Sequence, residues 1–208
     1  MLLADDFFLI AHDDRDGKSR LSARAVELGL AGAMLGELVL EQRILVEGPR
    51  LRVINRDPPS DPLAHTNLAT MVAELQHREV RTWLLFLGRT AVEAVGQRLA
   101  RVGLVEQVQV RRLLRTETRW LPADVNLPAG RVVRLRRLLT GVEPMRVADT
   151  TLAGLAEATG LTGHVLWDRD PAGIRRLQQA ITTLPPPLRD LILQVEQAVG
   201  DSVLSQRG

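Results

Sequence analysis

Apolar residues recur along most of this chain at the three- and four-residue spacing of a helix face, and alternate by two in only a few places. LLADDFFLIAH predicts an apolar helix carrying an acidic pair, DDRDG a turn, and GLAGAMLGELVLEQR the centre of a second helix. Leu45-Val46 and Leu51–Val53 flank Glu47-Gly48-Pro49-Arg50, a four-residue turn that predicts a small hairpin. Asp61-Pro62 places a capping carboxylate before a proline at the first helical position, and PLAHTNLATMVAELQ continues at helical spacing. Arg81–Leu87 predicts a short amphipathic segment ending at Gly88. Thr90–Arg101 predicts the next helix, with Val92, Val95 and Leu99 on one face and Gly103 as its stop. Leu104–Val110 and Thr116–Leu121 alternate apolar and polar residues, predicting a second hairpin. Further helices are expected from Asn126 to Leu139, over TTLAGLAEAT between a capping Asp149 and Gly160, after the cap Asp170-Pro171, and over PPPLRDLILQVEQAV. The expected fold is mainly α: a single helical domain over 1–208, with a core helix bundle, amphipathic outer helices and two short β-hairpins.

Composition narrows the chemistry. The absence of cysteine excludes disulfides and thiolate metal sites, and suits a reducing, cytoplasmic setting. Asp5 and Asp6, with no basic residue before the first apolar run, argue against a signal peptide. The run Leu28–Gly36 stops at Glu37, far short of the ~20 apolar residues that span a bilayer. The four histidines show no paired metal-ligand spacing, and no nucleophile elbow, phosphate loop or dinucleotide fingerprint occurs. Asp5-Asp6 and Asp13, Asp14 and Asp16 fit helix-dipole and turn-capping roles better than a metal site. Gly29, Gly32 and Gly36 predict close helix packing. No catalytic residue, cofactor or metal is expected.

Charge changes the picture more. Net charge is only +2, yet residues 98–137 hold ten arginines against Glu106, Glu117 and Asp124, a local excess of +7. Such an imbalance suits an anionic partner. One reading places the basic middle on acidic lipid, with arginines on headgroup phosphates. A second makes Thr90–Arg101 and the following hairpin a winged-helix-like nucleic-acid module, its wing carrying Arg111, Arg112, Arg115 and Arg119 on phosphates. A third makes the chain a protein-interaction scaffold whose arginines answer acidic surfaces, its own N-terminus included. Trp120 is read as a packed hairpin residue in preference to an interfacial anchor.

The order of these blocks resembles the Golgi phosphoprotein 3 family. The likeness is carried by LLADDFFLIAH, DDRDG, GLAGAMLGELVLEQR and ILVEGPRLRVI, then DPPSDPLAHTNLATM, RTWLLFLG, QRLARVGLVEQ, RVVRLRRLL and TTLAGLAEATGL. It implies a nearly all-helical, non-enzymatic peripheral membrane or adaptor protein that binds phosphatidylinositol 4-phosphate in a shallow basic pocket. Self-association through the 104–121 hairpin is implied as well. Carried over residue by residue, the pocket's tryptophan falls on Ser22 and its three arginines on Ala31, Arg89 and Val92, so only Arg89 matches. Arg20 and Arg24, beside Ser22, are the candidates to compensate. The expected headgroup-binding residues are therefore Arg89, Arg20 and Arg24, supported by a basic surface of Arg111, Arg112, Arg115, Arg119, Arg131 and Arg134.

Overall fold

The computed structural model describes residues 2–112, 115–124, 126–165 and 171–205, with the side chains of Arg112, Arg115, Val165 and Ser205 outside that description. Helix α1 (Leu3–Ala11) is buried along its whole length, as its nearly unbroken apolar run requires. Ser22 caps α2 (Ala23–Leu40), its Oγ accepting a hydrogen bond from Ala25 N at 3.3 Å. Almost every residue of α2 from Ala25 to Leu38 is buried. The glycine row explains how neighbours approach so closely. A Cβ at Gly29 would stand 2.2 Å from the Phe7 ring, and one at Gly36 would stand 2.7 Å from Leu3. The spacing serves packing, as the sequence suggests.

Strands β1 (Ile44–Glu47) and β2 (Arg50–Val53) pair antiparallel, with Glu47 opposite Arg50. The turn is therefore only Gly48-Pro49, two residues shorter than expected, because Gly48 adopts a φ of 56° that closes the hairpin tightly. Asp61 caps α3 (Pro62–Ala73) as read, accepting from Ala64 N at 2.9 Å. Helix α4 runs from Val80 to Arg101 without interruption. The expected break at Gly88 does not occur: Gly88 lies inside α4, buried against the Glu27 backbone of α2, where a Cβ would stand at an ordinary contact distance of 3.4 Å. Sequence alone does not separate a stop from a close approach.

Strands β3 (Val105–Arg112) and β4 (Arg115–Pro122) form the second antiparallel hairpin. Helices α5 (Asn126–Leu139), α6 (Val147–Ala158), the single turn α7 (Thr162–Val165), α8 (Pro171–Thr183) and α9 (Pro186–Ser205) complete the chain. Asp149 lies inside α6 and not before it; its Oδ2 reaches back to the Arg146 N–H at 3.3 Å. The expected cap Asp170 lies outside the described residues. In three dimensions α2 is the axis, with α1, α4, α6 and α9 packed around it. The first hairpin rests on α9, where Gly48 N donates to Asp190 Oδ2 at 2.7 Å, and the second rests on α4. The architecture is mainly α with two small hairpins. Among the described residues no helix is long and apolar enough to cross a membrane.

Candidate functional site

The arginines between 98 and 137 do not form one uniform surface. Arg98, which sequence reading counts among the basic face, is only 7% exposed. Its guanidinium donates to Asp5 Oδ1 at 2.8 Å, to both oxygens of Glu37 at 3.1 and 3.2 Å, and to Asp61 Oδ1 at 3.1 Å. One cation thus ties α1, α2, the cap of α3 and α4 together. Glu37 Oε1 also accepts from Ala4 N at 2.7 Å. The signal for this network is Glu37 itself, the single charge in the apolar stretch Leu28–Leu40 of α2, which cannot be buried without a partner.

Three more of the expected surface arginines are engaged. Arg119 is buried; it donates to the Asp16 carbonyl at 3.2 Å and to Glu117 at 3.4 Å. Arg131 Nε stands 3.3 Å from Asp6, and Arg134 donates to Asp149 at 2.5 Å. Acids distant in sequence therefore offset much of the +7 that residues 98–137 carry. Arg111 is exposed on β3, and the side chains of Arg112 and Arg115 lie outside the described residues.

The residues expected to hold a headgroup fall into two places. Arg24 bonds Glu27 at 3.1 Å, and Gly88 packs on the backbone of the same Glu27, so α2 and α4 meet within one residue of Arg89 on α4 and three of Arg24 on α2. Arg89 is exposed and has no ion pair among the described residues. Arg20 is held by Asp13 at 3.3 Å and Asp14 at 3.7 Å, and lines a cavity of about 220 Å³ with Arg136 and His164. Ser22 is occupied as a helix cap, Ala31 is fully buried, and Val92 is half-buried. Helix α4, the recognition helix of the nucleic-acid reading, packs against α2, α9 and β3, with Ala91 and Val95 completely enclosed.

Burial of these charges links stability to pH. Desolvation raises the pKa values of Asp5 and Glu37 despite Arg98, and that of Asp6 despite Arg131. In their titration range the folded state holds protons that the unfolded chain lacks, so stability declines as pH rises through those raised values. His12 opposes this trend. It is buried, stacks on Phe8, hydrogen-bonds the Phe8 carbonyl at 2.8 Å, and burial lowers its pKa from 6.5. Its contribution is present above 6.5 and lost as pH falls toward the lowered folded value. Urea midpoints of His12→Phe are therefore expected to change less than wild type as pH falls from 6.5. An identical pH profile for the two proteins would remove His12 from this account.

The family model for Golgi phosphoprotein 3 (GPP34) matches residues 3–195, nearly the whole chain. The chain belongs to the Golgi phosphoprotein 3 family. None of the curated proteins matches it.

Proposed function

We propose that this protein is a non-enzymatic peripheral membrane protein or adaptor that holds an anionic lipid headgroup between Arg24 and Arg89, beside the capped start of α2. The observation that carries the reading is the family match over residues 3–195. The approach of α2 and α4 at Glu27 and Gly88 supplies the local support. A helix N-terminus adds a favourable field for a phosphate in the same place.

Ser22, Ala31 and Val92 provide neither an aromatic face nor a guanidinium fork, so recognition rests on summed charge more than on bidentate grips. Phosphatidylinositol 4-phosphate is one ligand within reach, and other acidic lipids bind comparably. Arg111, exposed on β3, adds attraction at the surface, on the order of 1 kcal/mol, whereas Arg20 is offset by Asp13 and Asp14. The 104–121 hairpin, with exposed strand edges, is the proposed self-association element.

Co-sedimentation with neutral, phosphatidylserine-containing and phosphatidylinositol 4-phosphate-containing vesicles tests the reading. Both anionic preparations are expected to bring the protein down at low salt. The Arg24→Ala/Arg89→Ala double variant should partition about thirtyfold less, the effect of losing about two surface cations at about 1 kcal/mol each. Failure of every anionic vesicle at low ionic strength would eliminate the lipid function. A steep, salt-sensitive affinity for duplex DNA in its place would favour the nucleic-acid reading.

A further inference from the structure

A second concave site lies at the opposite end of α2. A cavity of about 400 Å³ opens beside Glu41, where α1 and α6 begin and α5 crosses over. The length of α2 puts it roughly 27 Å from Ser22, well away from Arg24. Its volume falls within the range of small-molecule sites. Leu3 and Leu152 provide an apolar wall, while its charged lining has both signs.

Most of those charges are already satisfied. Arg134 is held by Asp149, and Glu37 by Arg98 and the Ala4 N–H. Two groups are not. Asp6 is 9% exposed, and its Oδ1 has no hydrogen bond. Arg131 Nε stands 3.3 Å from that oxygen, close enough for charge attraction but off the line of a hydrogen bond. Arg146, on the rim at the start of α6, is exposed and has no ion pair among the described residues. One buried acceptor and one outward-facing guanidinium therefore face a common space.

A simple anion there would meet the carboxylates of Asp6, Glu41 and Asp149. A simple cation would meet Arg131, Arg134 and Arg146. Like-charge juxtaposition disfavours both. A molecule carrying both charges answers both unsatisfied groups at once. We propose that this cavity binds a small zwitterion, whose primary ammonium donates to Asp6 and whose carboxylate or phosphate, a few bonds away, is held by Arg146. A short apolar arm of the ligand lies against Leu3 and Leu152. Two sources offer this chemistry: a free amino-acid-like metabolite, and the phosphoethanolamine headgroup of a lipid. The site does not depend on Arg24 or Arg89.

Isothermal titration of the full chain with leucine and with phosphoethanolamine tests the proposal, with ethanolamine and inorganic phosphate as single-charge probes. At least one zwitterion is expected to saturate the site, with each single-charge probe about tenfold weaker or worse. Arg146→Ala, an exposed change that should leave the melting temperature unaltered, is expected to weaken the zwitterion about tenfold. Asp6→Asn, checked for folding by the same melt, should do likewise. Binding to neutral vesicles containing phosphatidylethanolamine, lost in Arg146→Ala, would identify the lipid source; binding of the soluble probes alone would identify the metabolite. The proposal is overturned if neither zwitterion binds up to about 10 mM. It is equally overturned if phosphate alone binds as well, or if Arg146→Ala leaves zwitterion affinity unchanged.

Discussion

Replacing Arg98 by alanine is expected to destabilise the protein by about 3–5 kcal/mol, the usual consequence of removing one partner from a buried ion cluster. The guanidinium is the sole cation bonded to Asp5, Glu37 and Asp61 among the described residues. Without it, three carboxylates from three different elements share a nearly dry space. Burial lowers the pKa of Arg98, but the bond and charge of Glu37, with Asp5 and Asp61, outweigh that and leave it raised, so this cation does not neutralise itself. Loss of the cation leaves protonation of the carboxylates as the remaining relief. The defect in urea denaturation should therefore shrink on acidification, as Asp5 and Glu37 take up protons. Arg98→Lys keeps a charge but cannot span both Glu37 oxygens and Asp61 with a planar fork, so an intermediate loss is expected. A loss in Arg98→Ala below about 1 kcal/mol, the level of a surface pair, would refute the cluster as the clamp that joins α1, α2 and α4. That clamp bears on the proposed function because α2 and α4 carry Arg24 and Arg89, the proposed headgroup residues.

Arg98 also shows where reading the sequence stops. Local signals are well represented in the chain: Asp61-Pro62 caps α3, and Gly29 and Gly36 mark close packing against α1. These depend on residues within a few positions, or on the mere smallness of a side chain. Ion pairing does not. Arg98 lies 93 positions from Asp5, 61 from Glu37 and 37 from Asp61. A sum of charges over residues 98–137 therefore overstates the exposed positive surface, because the compensating acids come from elsewhere. Gly88 illustrates the same limit for backbone: its partner, Glu27, belongs to another helix. For the candidate site, sequence reading places Arg24 and Arg89 on different helices but cannot show that those helices meet at Glu27. It likewise groups Arg20 with them, whereas Asp13 and Asp14 draw that side chain toward α5. The cavity between Asp6 and Arg146 has no local signature, since its walls come from α1, α2, α5 and α6.

Trp120→Ala is expected to cost about 3–5 kcal/mol, the range for deleting a buried aromatic ring. The ring is 3% exposed and lies on Gly96, where a Cβ would stand only 2.4 Å from it. Glycine is thus what lets β4 reach α4. The same strand is fastened on its other side, where Arg119 donates to the Asp16 carbonyl and Gly17 sits against the Trp120 carbonyl. Gly17 has a φ of 65°, so the acidic turn can follow the hairpin closely. Losing the ring therefore loosens the base of the hairpin that presents Arg111. Gly96→Val should also be strongly destabilising, because its branched side chain claims the space of the indole. The two changes should not add: in the double variant the valine partly fills the space that the missing ring leaves, so the combined loss falls below the sum. Denaturation of the four proteins measures that coupling, and strict additivity would show that Gly96 and Trp120 act separately. A small stability loss in Trp120→Ala with a large fall in vesicle binding would instead make the indole a membrane anchor. Its near-complete enclosure at the foot of the hairpin argues for the packing role.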